Sequence, residues 1–86
     1  MSAYPHAAFY QAAGAYRRCQ AEGYVNAGLY RLAAAMLEEA AMMIAEARDA
    51  LPDRATVWRE ALDADLDELH DAHNACLMLA GSLGVC

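Results

Sequence analysis

Lysine does not occur in this chain of 86 residues, whose 6 basic side chains are all arginine. Its absence removes Schiff-base and lysine-nucleophile chemistry. The 12 acidic residues leave a net charge of −6, and no arginine cluster exceeds the pair Arg17 and Arg18. Nucleic-acid binding requires a positive face that displaces counterions from phosphates, so nucleic acid is set aside as a partner. An anionic membrane surface is disfavoured on the same ground. Serine is confined to Ser2 and Ser82, and no glycine-rich phosphate loop follows a strand. No nucleophile therefore has a convincing base, and neither a catalytic residue nor a cofactor is assigned.

Long apolar runs are also missing. The longest uncharged stretch, Asn74 to Cys86, falls short of the about 20 apolar residues that span a bilayer, and the first residues lack the basic and apolar regions of a signal peptide. The expectation is a soluble cytoplasmic protein. Abundant Ala, Arg, Asp and Glu without lysine fits a GC-rich bacterial genome. Cysteine is present 3 times, an odd number that makes reduced thiols the default in such a setting.

The chain does have strong helical periodicity. Leu29, Ala33, Met36, Ala40, Met43, Ala47 and Leu51 recur at alternating three- and four-residue spacing, one continuous stripe on an α-helix. Tyr30, Leu37 and Ile44 run along the adjacent edge and widen the apolar arc to roughly half the circumference, beyond the about 100° expected of a helix lying on a core. Such a helix sits between at least two others. In a chain this short, part of the cover is expected from a second copy.

The spacing predicts a single domain, residues 1–86, of three helices over about 4–21, 27–51 and 54–80, with a tail at 81–86. Ser2, Asn26 and Asp53 are the expected caps. Gly23 is the expected stop of the first helix, Pro52 closes the second, and Gly81 and Gly84 end the third. Short links make successive helices antiparallel neighbours. The expected architecture is thus all-α, an antiparallel three-helix bundle that associates as a homodimer. On the first helix Phe9, Ala12, Tyr16 and Cys19 form the apolar face, with Gln11, Arg18 and Glu22 opposite. On the third the stripe is Ala55, Trp58, Leu62, Leu66, Leu69, His73, Cys76 and Ala80. A tetratricopeptide pattern fails, because Arg17 and Asn26 stand where it requires tyrosine and alanine.

Parallel first and third helices bring Cys19 and Cys76 to one end of the bundle with His73 a turn below, a candidate soft-metal site with Tyr16 and Tyr30 as aromatic lining. The alternative is that two thiols and a histidine simply fill an end layer. Cys86 with Cys76 is a weaker candidate for thiol redox sensing. Met42 and its alanine neighbours form an uncharged patch suited to contact. The candidate self-association surface is Tyr10, Gly14, Tyr30, Leu37, Ala41, Met42 and Ile44, with the Leu77 to Leu83 segment. Glu60, Asp63, Asp67 and Asp71 form an acidic ridge that could dock a basic or amphipathic protein segment. The leading functional expectation is a non-enzymatic protein-interaction module, a small acidic adaptor or chaperone. The alternative is a bundle that binds a small ligand or metal.

Overall fold

The structure is a computed structural model that describes residues 4–84, with side chains through Gly81. Three helices, α1 (Pro5–Asn26), α2 (Tyr30–Asp49) and α3 (Thr56–Gly84), run up, down and up as an all-α, antiparallel three-helix bundle. Pro5 occupies the first turn of α1, where a missing N–H costs nothing. Ser2, the expected cap, lies outside the described residues.

Helix α1 continues past Gly23 to Asn26, because Gly28 is the glycine that takes the left-handed conformation, at φ 76°. Leu29 N–H donates to the Tyr24 carbonyl at 2.8 Å and Gly28 N–H to the Val25 carbonyl at 3.0 Å. These are the two bonds of a Schellman motif. Asn26 is consequently the last residue of α1 and does not cap α2, whose N-cap position is filled by Leu29 without a side-chain bond.

At the second link, the Ala55 N–H donates to the Pro52 carbonyl at 3.0 Å, closing a turn that contains Asp53 ahead of the helix. The guanidinium of Arg59 donates from Nη1 to the Leu51 carbonyl at 2.9 Å and the Arg48 carbonyl at 3.2 Å. It thus joins the Leu51 N–H on the Arg48 carbonyl and supplies a donor to the Leu51 carbonyl just past the end of α2. Helix α3 passes Gly81 and ends at Gly84, since a glycine costs a long helix only about 1 kcal/mol.

The inward face of α1 is not the aromatic one. Ala7, Gly14 and Ala21, spaced by seven, are buried, whereas Phe9 and Tyr16 are 66% and 62% exposed and Cys19 faces solvent. The reason is steric. Ala33, Ala40 and Ala47 recur at the same spacing on α2 and are also buried, so two lines of small residues meet and draw the backbones together. At Gly14 even a β-carbon would crowd Ile44.

On its other side α2 receives α3, whose Leu62, Leu69 and Cys76 again recur every seven residues and are buried. Leu62 and Leu69 are the largest fully buried side chains, each contributing about 1.5–3 kcal/mol. Helix α2 therefore does lie between two neighbours, and they shelter Leu37 and Ile44 within the same chain. The second copy expected to cover those two residues is not required for them.

The backbones of α1 and α3 scarcely approach each other. They meet through side chains. Trp58 Nε1 donates to Gln11 Oε1 at 2.9 Å, the Tyr4 ring meets the Trp58 indole edge-on at 6.0 Å, and Arg18 pairs with Glu68 at 3.1 Å. The molecule measures 51 × 19 × 14 Å. Helix α3 has 29 residues against 20 in α2. Near its end Leu77, Met78 and Leu79 are 48%, 74% and 46% exposed. Consecutive residues point about 100° apart, so α3 is uncovered over more than half its circumference there, with buried Cys76 and half-buried Ala80 on the remaining side.

Candidate interaction groove

Between α2 and α3, on the side turned away from α1, lies an open groove of about 510 Å³. Leu37, Ala41, Met42 and Ala45 line it from α2, and Leu66 with His73 from α3. Glu38, Arg48 and His70 complete the lining. The groove exists because Ala41 and Ala45 are too short to fill the space between two helices held apart by Leu37 and Leu66. Met42 stands at its edge, 62% exposed.

Both edges of this groove are acidic. On α3, Asp63, Asp67, Glu60 and Asp71 fall roughly 60–140° round the helix from Leu66 at about 100° per residue, and all four are exposed. On α2, Glu38, Asp49 and Glu46 fall in the same arc from Ala41 and are also exposed. The cation in the lining is spoken for. Arg48 Nη1 donates to Asp63 Oδ1 at 3.0 Å and Nη2 lies 3.6 Å from Asp49 Oδ1. The hydrogen bond that Arg48 donates to Asp63, then the charge of that carboxylate, raises the Arg48 pKa above the ordinary guanidinium value. Its Nε is enclosed without a hydrogen-bond partner among the described residues.

The expected self-association surface divides. Gly14, Leu37 and Ile44 are buried by the chain's own helices, and Tyr10 and Tyr30 are half-buried against the core. Ala41 and Met42 remain at the surface, in the groove. The four residues of the acidic ridge are all at the surface, and they adjoin the same groove. Sequence periodicity shows the patch and the ridge separately. That they share one face depends on how α3 is rotated against α2, which neither helix shows alone.

The soft-metal constellation does not assemble. Among the described residues no three His, Cys, Asp or Glu side chains come together as an ion-binding group. Cys76 faces a second cavity, of about 300 Å³, with Ala21, Val25 and Ala72, whereas His73 lines the α2–α3 groove. Cys19 is exposed on the outer side of α1, and the Arg18–Glu68 pair sets it nearer the level of Leu69 than of Cys76. Tyr16, expected as lining, is exposed. Of the proposed thiol pair, Cys76 is buried and Cys86 lies outside the described residues.

Among the described residues no helix is long and apolar enough to cross a membrane. No protein family, curated protein or solved structure matches this chain.

Proposed function

We propose that this chain is a non-enzymatic protein-interaction module, a small acidic adaptor or chaperone that holds a helical segment of another protein in the groove between α2 and α3. The observation that carries the reading is the apolar groove itself, with Met42 62% exposed at its edge. Leu37, Ala41, Ala45 and Leu66 offer an uncharged floor, and a flexible thioether at the rim adapts to differently shaped side chains. Helix-in-groove recognition uses this kind of surface.

The methionine methyl groups provide the test. Titrating the protein with a neutral amphipathic helical peptide should move the Met42 methyl resonance and leave that of half-buried Met36 in place. A Met42 signal that stays fixed at millimolar peptide would overturn the assignment of the groove.

A second reading, self-association as a homodimer, rests on the end of α3. Leu77, Met78 and Leu79 are exposed together with Val25, Leu29 and Leu32, and the up, down, up topology gathers all of them at one end of the bundle. No charged residue occurs from Ala72 to Cys86, so two copies of an acidic chain approach there with least repulsion. Light scattering should give a dimer that Met78→Asp returns to monomer. A monomer at every concentration would remove this reading.

A further inference from the structure

We infer that the segment held in the groove is a basic amphipathic helix of about three turns, a conclusion that rests on the groove being the binding site and adds the chemistry of its occupant. Length comes first. The floor extends from Leu37 to Arg48 on α2, which at about 1.5 Å per residue is about 17 Å, or three helical turns. An occupant of that length presents apolar anchors at i, i+3 or i+4, and i+7, enough to cover Ala41, Ala45 and Leu66.

Charge then selects among such helices. Glu38 and Asp49 stand along one edge and Asp63 and Asp67 along the other, with Glu46, Glu60 and Asp71 a step further out. Arg48 cancels part of this at one end of the floor through its pairs with Asp63 and Asp49. Arg31 lies on the same side of α2 as Glu38, about 10 Å nearer the N-terminus at about 1.5 Å per residue. Between these two cations, the edges formed by Glu38, Asp67 and Asp71 bear a negative charge that no arginine of the chain reaches. Two acidic edges over a low-dielectric floor concentrate negative potential along the groove. A helix with arginine or lysine flanking its apolar stripe meets a complementary partner on each side. A helix with acidic flanks meets like charge on each side, which applies equally to α3 of a second copy with its own acidic ridge.

The test uses two fluorescein-labelled peptides with one leucine stripe between them, the first with arginine and lysine on its polar face and the second with glutamate. Anisotropy is read at low and high salt, and the Met42 methyl resonance reports where each peptide binds. The basic peptide should bind the full chain at Met42, lose affinity about tenfold or more on raising salt, and outbind the acidic peptide by a similar factor. Asp67→Asn with Asp71→Asn, both exposed and hence harmless to folding, should weaken the basic peptide about threefold to tenfold. Equal binding of both peptides at Met42 without salt dependence would overturn the basic partner and leave the groove standing. Failure of both peptides to move Met42 would overturn groove and partner together. A dimer that Met42→Asp dissociates would put a second copy in the groove and overturn the basic partner.

Discussion

Gly14 lies against Ile44 so closely that a β-carbon on the glycine would stand 2.7 Å from Ile44 Cδ1 and 2.9 Å from its Cγ1, with the Ala40 carbonyl oxygen at 3.3 Å. This contact sets the separation of α1 and α2. Alanine is worth about 1 kcal/mol over glycine in a helix, but overpacking a close-fitting interface costs about 1–3 kcal/mol. Gly14→Ala is therefore expected to lower the unfolding free energy by on the order of 1 kcal/mol. In an Ile44→Ala background the crowding atoms are gone, and the same change should become neutral or stabilising. Urea denaturation of the four proteins in this cycle gives the coupling. Equal destabilisation in both backgrounds would identify the Ala40 carbonyl, not Ile44, as what limits the approach.

Arg59 joins the second link to the end of α2 by its bonds to the Leu51 and Arg48 carbonyls. Arg59→Met keeps the aliphatic stem and removes both bonds, and should cost about 1–2 kcal/mol, since hydrogen bonds from a charged group are worth about 1.5–3 kcal/mol before discounting for partial exposure. The Asp53 carboxylate lies 4.0 Å from the same guanidinium and is fully exposed. Asp53→Asn should accordingly change stability by less than about 0.5 kcal/mol. If the two substitutions cost the same, the carbonyl bonds are not what holds the link.

The two described thiols should react very differently. Cys19 is exposed and Cys76 is buried. In the native protein a maleimide should label Cys19 within minutes, and Cys76 at a rate limited by opening of the bundle, as peptide mapping would show. Zinc should not raise the melting temperature, because Cys19, His73 and Cys76 do not come together as a three-ligand group. A stabilising shift with zinc, lost in Cys76→Ala, would contradict that separation.

The number of helices, their order and most of the inward stripes of α2 and α3 were legible in the helical spacing of the apolar residues, although Leu29, placed first on the α2 stripe, is exposed and Met36 and Met43 are half-buried. Leu62, Leu69 and Cys76 fall on the expected α3 stripe and are buried. The inward face of α1 was not legible in the same way. Phe9 and Tyr16 carry more apolar area than Ala7 or Ala21, and a count of hydrophobicity favours them, whereas the fold is decided by how closely the backbones can approach. Gly23 is the stop expected from the sequence, and Gly28 is the one the fold uses. Each is followed by a large side chain, Tyr24 or Leu29, so that does not decide between them; the left-handed turn falls at Gly28, closed by the Leu29 N–H on the Tyr24 carbonyl. The groove combines residues from two helices, so the acidic ridge of α3 could be read from the sequence, but not the second edge on α2 or their position over one apolar floor.

Gly81 is the counterpart of Gly14. Among the described residues a β-carbon there would meet nothing within 4 Å, and the residue lies inside α3 just past the exposed Leu77, Met78 and Leu79. With no contact to lose, Gly81→Ala should stabilise the last turns of α3 by about 0.5–1 kcal/mol through helix propensity, less whatever those turns already lose by fraying. Amide exchange of Leu79 and Ala80 should slow accordingly, while that of Leu62 should not change. If the substitution instead speeds exchange at Leu79, the glycine is accommodating a close approach at the end of α3 that none of the described residues makes.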